Sequence, residues 1–332
     1  MSFINCRIFG IGIDPAKYHN QSISRGDPNY PMSPSALREF MRCPSRWRRG
    51  YEPPESKSKE FGSLFDCRLL TPTQFESRYA IQPETYEAES KKKGEPSETK
   101  PWSNNANVCK AWNAEQRAAG REIVTAKELA ECDAATARLM ADPIIAGWHG
   151  QCDTQVQVEG MFQDQATGLF VPVRCLIDYV PRLDSEFASC LGDLKTSTSG
   201  SLAFFERQVY QMGYHIQAAF DLALFNAAAK EDRNTWCFIG LENYPPFEPF
   251  RRMLDSEFIS LGRMAVDAGL RYYAQCLKRD EWPSYDDHSD AVQGWSVVAP
   301  SSWMEYEALS NKMAADVDAE LTTEQKIDRA GL

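Results

Sequence analysis

The chain has 332 residues, 43% of them hydrophobic, and a formal net charge of −11. That length and apolar content suffice for a full buried core, and the acidic balance means that any phosphate contact must come from a local cluster of Lys and Arg. No run of eighteen apolar residues marks a membrane span, and no signal peptide is evident because the apolar run at 8–13 is short and followed by polar residues, so a cytoplasmic protein is expected.

Between residues 38 and 59, seven basic residues stand against three acidic ones, with Trp47 and Tyr51 interleaved. Arg46, Arg48 and Arg49 form a cluster able to grip phosphate, although a solvated helix end would carry the same residues. Residues 83–107, dense in Ser, Glu, Pro and Asn and containing Lys91-Lys92-Lys93-Gly94, read as a flexible surface loop. Helical patterning resumes from 108 to 140. Thr154-Gln155-Val156-Gln157-Val158-Glu159 alternates polar and apolar residues as a half-buried strand does, and it ends in a carboxylate. Asp164-Gln165-Ala166-Thr167-Gly168 then lets the chain double back.

The segment 171–196 carries the chemistry. Asp178 is followed fifteen residues later by Asp193-Leu194-Lys195, each carboxylate inside a short apolar run with strand character. Residues i and i+2 of a strand share a face, so Asp193 and Lys195 project together, and Asp178 shares a face with Arg174. A hairpin turned near Arg182-Leu183-Asp184-Ser185 would bring Asp178, Asp193 and Lys195 to one point. Two carboxylates suit Mg2+, which binds through one or two acids and keeps waters and substrate phosphate as its other ligands. A metal there would polarise a phosphodiester, and the lysine ammonium could orient the attacking water or stabilise developing negative charge. Asp-x-Lys alone is weak, since roughly one such triplet arises by chance in a chain of this length, and a surface strand with an ion pair would look the same. Glu159 is a candidate third acid on the preceding strand.

After Ser199-Gly200-Ser201, residues 202–229 carry one long helical pattern without proline. Tyr210, Tyr214, Gln217 and Asp221 fall at spacings of four, three and four, which makes one stripe, either a polar face in water or a row facing the acids. The ten cysteines contain no Cys-x-x-Cys and read as small buried hydrophobes. His215 reads as a packing or DNA-contact residue. No glycine-rich phosphate loop is present, which excludes an ATP-driven motor of that type.

These residues carry a resemblance to a known group. Tyr18-His19, Met32-Ser33-Pro34-Ser35-Ala36-Leu37-Arg38-Glu39-Phe40 and Cys43-Pro44 resemble the opening helix of the exodeoxyribonuclease VIII (RecE) branch of the PD-(D/E)xK nuclease superfamily, which includes lambda exonuclease and the RecB nuclease domain. Phe61-Gly62-Ser63-Leu64-Phe65 with Leu69-Leu70-Thr71-Pro72 resembles its second helix. Glu159, the Thr167-Gly168 turn, Arg174-Cys175-Leu176-Ile177-Asp178, Asp193-Leu194-Lys195-Thr196, Tyr214-His215-Ile216-Gln217-Ala218-Ala219-Phe220 and Trp282-Pro283-Ser284-Tyr285 follow in the family's order.

The resemblance implies an α/β fold with a restriction-endonuclease-like core, a central mixed sheet flanked by helices. It implies that Asp178 and Asp193 bind Mg2+, with Mn2+ an alternative, that Lys195 is the catalytic lysine, and that Glu159 and Gln217 assist. Tyr214 becomes a DNA-contact candidate beside Arg46, Arg48 and Arg49. Asp66 stands where relatives carry a histidine, and its carboxylate can still ligate a hard metal. Asp221 stands where relatives show an aromatic residue. Some relatives hold an iron-sulfur cluster through a Cys-Pro cysteine and three C-terminal cysteines; only Cys237 and Cys276 stand there, so no cluster is expected.

The expected organisation is one nuclease domain over 1–303, with a helical lead at 30–70 and a catalytic core at 150–245, followed by an acidic tail at 304–332. The implied activity is exonucleolytic cleavage of linear double-stranded DNA ends, 5′ to 3′, in recombination or phage DNA processing. A ring-shaped homo-oligomer and a single-strand annealing partner are expected by resemblance. A catalytically weak DNA-end-binding scaffold and a RecB-type nuclease acting on single strands or flaps are the alternatives.

Overall fold

The computed structural model describes residues 3–19, 22–52, 54, 56–88 and 96–287. Strand β1 (Phe3–Gly10) leads through α1 (Pro15–His19) to α2 (Pro34–Arg42), α3 (Pro44–Arg48) and α4 (Lys57–Leu70). Proline opens both α2 and α3, where its missing N–H costs no helical bond. Ser33 caps α2 by accepting from the Ala36 amide at 3.3 Å, and Ser56 caps α4 in the same way through Lys59.

Helix α5 (Phe75–Arg78) and strands β2 (Tyr79–Ile81), β3 (Thr85–Ala88) and β4 (Glu98–Pro101) follow. Within the segment expected to be a loop, β3 and β4 pair as an antiparallel ribbon. The helical pattern at 108–140 is two helices, α6 (Asn107–Ala118) and α7 (Ala126–Met140), because Gly120 takes φ +74° and ends the first. Between them β5 (Glu122–Val124) pairs in parallel with β2, and α8 (Pro143–Gly150) completes this helical layer.

The main sheet is built from β1, β6 (Cys152–Gln163), β7 (Phe170–Pro181), β8 (Cys190–Ser197), β9 (Thr235–Glu242) and β10 (Pro249–Met253), in that spatial order. Only β8 and β9 run parallel, so the chain must cross over between them, and helices α9 (Leu202–Gln211) and α10 (Tyr214–Ala229) make that connection. The mixed sheet flanked by helices expected from the sequence is the observed architecture. Asp164 accepts from the Thr167 amide at 2.8 Å and from its hydroxyl at 2.6 Å, and Gly168 takes φ +76°, which closes the β6–β7 turn. One face of the sheet, with Val158, Val173, Cys175 and Ile177, packs against α2, α10 and the last helix, α11 (Ser256–Arg279). The opposite face, with Leu194, Ile239 and Leu241, packs against α4, α7 and α8.

Two differences from expectation bear on the site. The single helix expected over 202–229 breaks at Gly213, whose φ of +66° is left-handed, so Tyr210 lies on α9 and is 72% exposed while Tyr214, Gln217 and Asp221 share α10. Helix α11 approaches α10 through Gly262, where an added Cβ would lie 2.1 Å from the His215 carbonyl oxygen. The chain divides into two compact units, Met1–Trp282 and Pro283–Leu332. The expected boundary at 303, the acidic tail and Lys91-Lys92-Lys93-Gly94 lie outside the described residues. No helix among the described residues is long and apolar enough to cross a membrane.

Candidate active site

The hairpin of β7 and β8 sets Tyr179 opposite Gly192, which brings Asp178 beside the strand that carries Asp193 and Lys195. Asp178 Oδ2 accepts from the Leu194 backbone amide at 2.8 Å, and Oδ1 accepts from Gln155 Nε2 at 3.0 Å. Gln155 has φ +50°, a left-handed conformation that a residue with a side chain adopts at a cost of order 1 kcal/mol. Its carbonyl accepts from Ile13 at 3.1 Å, so the segment after β1 holds it in place.

Glu159 does not join this group. It lies opposite Arg174, four residues along β6 from Gln155, which at about 3.3 Å per residue is about 13 Å away. Its carboxylate pairs instead with Arg7 at 3.1 Å and accepts from Gln157 at 2.8 Å. The residue of this strand that meets Asp178 is an amide, Gln155.

On β8, Asp193 is 3% exposed. Its Oδ1 accepts from Gln217 Nε2 at 2.8 Å, and Oδ2 pairs with Lys195 Nζ. The Lys195 ammonium also lies 4.9 Å from the ring centroid of Tyr214, a cation–π contact. Tyr214 is therefore placed as the lysine's neighbour. Asp221, one turn beyond Gln217 on α10, is 1% exposed, and its carboxyl faces the Cys175 thiol and Gln217. Gln155, Asp178, Asp193, Lys195, Gln217 and Asp221 line one cavity of about 210 Å³ together with Asp66 of α4, and its wall also includes Ser33, Ser35 and Arg38 at α2.

Four carboxyl groups around so small a space repel one another. Burial, reinforced by Asp193 and opposed by Lys195, pushes Asp66 up to about 7. Burial and then the Asp193 and Asp66 carboxylates hold Asp178 well above the usual carboxylate range, and burial followed by Asp193 does the same to Asp221. For Lys195, burial pulls the ammonium down, but Asp193, Tyr214 and Asp178 outweigh it and hold the group above its ordinary value. Crowded carboxyl groups whose ionisation is disfavoured until a cation arrives are oxygen donors that suit a hard divalent ion. Among the described residues no three or more His, Cys, Asp and Glu side chains are gathered tightly enough to hold a metal ion. Any such ion would have to be held by one or two of the cavity carboxyls Asp66, Asp178, Asp193 and Asp221, and one or two carboxylates are what Mg2+ commonly uses.

The basic cluster sits on α3, apart from the residues that line this cavity. Arg46 pairs with Glu39 at 3.5 Å and lies 4.4 Å from the Tyr51 ring centroid; Arg48 lies 5.6 Å from that of Trp282; Arg49 is exposed at the end of the helix. Among the cavity residues that escaped sequence reasoning as site residues are Gln155, Ser33, Ser35 and Arg38. Only the period-two alternation of β6 could have pointed to Gln155, which shares a face with Glu159.

No protein-family model matches the chain, and no curated protein matches it. Among solved structures, a provisionally named exonuclease from Eubacterium rectale superposes with a TM-score of 0.52 over 90% of this chain and 98% of its own, at 14% identity. The two share a fold. The chain is thus built on the same mixed α/β scaffold as that protein. The SSO0001 structure covers 42% of this chain and 60% of its own at 13% identity, with a TM-score of 0.24, below the level at which a common fold is indicated.

Proposed function

We propose that the protein is a metal-dependent DNA exonuclease of the RecE-like type, acting on linear duplex ends from 5′ to 3′. The observation that carries the reading is the convergence of Asp178, Asp193 and Lys195 in one cavity, with Gln217 bonded to Asp193. The likeness of fold to a provisionally named exonuclease adds to it. Asp178 and Asp193 would hold Mg2+ or Mn2+, and the bound cation supplies Lewis acidity toward a phosphodiester.

The chain's own groups do the positioning. Gln217 occupies Asp193 Oδ1 and leaves Oδ2 to Lys195, so the lysine is aimed by two contacts, the carboxylate and the Tyr214 ring. Its raised pKa keeps the proton on Nζ, which suits Lys195 to orienting an attacking water and stabilising charge on phosphate rather than to acting as a general base. Leu194 N–H and Gln155 fix the Asp178 carboxylate from two directions. Duplex ends and a single-strand annealing protein are the expected partners, with a ring-shaped homo-oligomer as the expected assembly.

The test is release of acid-soluble nucleotides from end-labelled linear duplex DNA, with closed circular DNA as control. Release from linear DNA in Mg2+ but not in EDTA, lost in both Asp193→Ala and Lys195→Ala, is the expected result. No release in Mg2+ or Mn2+ from folded protein would overturn the reading in favour of an end-binding scaffold.

A further inference from the structure

Arg38 projects from the first turns of α2 into the cavity that holds Asp66, Asp178, Asp193 and Lys195. It is half-buried, and desolvation by burial is the largest influence on its guanidinium. Among the described residues no carboxylate lies within ion-pairing distance of it. The adjacent acid, Glu39, is taken by Arg42 at 2.7 Å and Arg46 at 3.5 Å, and Asp193 is taken by Lys195 and Gln217.

The side chain is nevertheless held firmly. It runs across Gly213, where an added Cβ would meet Arg38 Cδ at 2.8 Å, and one terminal nitrogen donates to the Met212 carbonyl. An arginine whose stem is clamped, whose charge is partly desolvated and which has no carboxylate within ion-pairing distance among the described residues is arranged for an anion that arrives from outside. The α2 N-terminus, with Ser33 and Ser35 on the same cavity wall, adds positive potential from its aligned peptide dipoles.

We propose that Arg38 is a phosphate-binding residue whose guanidinium donates to a non-bridging oxygen of the DNA phosphate that enters this cavity. The proposal rests on the nuclease reading and extends it to a residue on the wall formed by α2. It accounts for the break at Gly213: the left-handed glycine lets the arginine pass against the backbone, and the carbonyl before it anchors one nitrogen while the others are left for the ligand.

The experiment compares wild type, Arg38→Ala and Arg38→Lys, each checked by thermal unfolding. Binding of fluorescein-labelled linear duplex is measured in Ca2+ across a range of NaCl, and nucleotide release is measured in Mg2+. In Arg38→Ala the slope of log affinity against log salt should fall by about 1, kcat should fall roughly 100-fold, and added guanidinium ion should restore part of kcat. Arg38→Lys should keep the slope, because charge is retained, and lose roughly 10-fold in kcat, because the fork is lost. If Arg38→Ala does not fold, the lysine variant decides. Wild-type slope and kcat in the alanine variant, or wild-type kcat in the lysine variant, overturns the proposal while the nuclease reading stands. A lowered slope in Arg38→Ala with no nucleotide release from wild type supports the phosphate contact and overturns the nuclease.

Discussion

Asp178 Oδ2 accepts a hydrogen bond from the backbone N–H of Leu194 at 2.8 Å, which ties a carboxylate on one strand to the residue between Asp193 and Lys195 on the next. With Gln155 donating to the other oxygen at 3.0 Å, Asp178 needs both carboxylate oxygens as acceptors. An amide offers only one. Asp178→Asn should therefore lose roughly 100-fold or more in nucleotide release, and retained activity above a tenth of wild type would remove Asp178 from the site.

Glu159→Gln makes the opposite test. Its carboxylate bonds Arg7 and Gln157 rather than the cavity groups, and a surface ion pair is worth about 1 kcal/mol or less. Nucleotide release should stay within about twofold of wild type, with a loss of stability no larger than that figure. A loss as large as that of Asp178→Asn would return Glu159 to the active site.

The raised pKa of Asp66 sets a pH dependence in metal-free protein. Its ordinary value is 3.8 and its folded value about 7, so the folded protein binds more protons than the unfolded chain between those limits. The associated stability is fully present below pH 3.8 and is lost as pH rises through about 7. Asp66→Asn carries no such charge. In EDTA its melting temperature should exceed that of wild type by a margin that grows from pH 5 to pH 8, whereas a constant or shrinking margin counts against the buried-charge account. Mg2+ should raise the wild-type melting temperature more at pH 8 than at pH 6, because protons and metal compete for the same carboxylates.

Gly262→Ala tests how helix packing sets the site. The added methyl meets the His215 carbonyl oxygen at 2.1 Å and Ala219 Cβ at 2.8 Å, and Gln217 lies between those two residues on α10. Helices α10 and α11 would have to separate. Overpacking of this kind costs about 1–3 kcal/mol, so denaturant unfolding should register a loss in that range, and kcat should fall as Gln217 shifts from Asp193. An alanine variant as stable as wild type would indicate that the helices separate freely.

Local periodicity by itself determined much of this protein. Alternation in 154–159 and 171–178 marks two neighbouring strands, the turn residues Asp164 and Gly168 join them, and i, i+2 spacing puts Asp193 and Lys195 on one face. The three-and-four spacing of Tyr214, Gln217 and Asp221 placed them on one stripe of a helix that does face the acids. Tertiary structure alone decided which strand residue stands opposite Asp178, because alternation identifies a face but not a register, and the register set Gln155 there instead of Glu159. It also decided the break at Gly213 and the entry of Asp66 and Arg38 into the cavity. Those depend on how α2 and α4 dock on the sheet more than a hundred residues further along the chain, and a period of 2 or 3.6 says which side of an element is buried without saying what it is buried against.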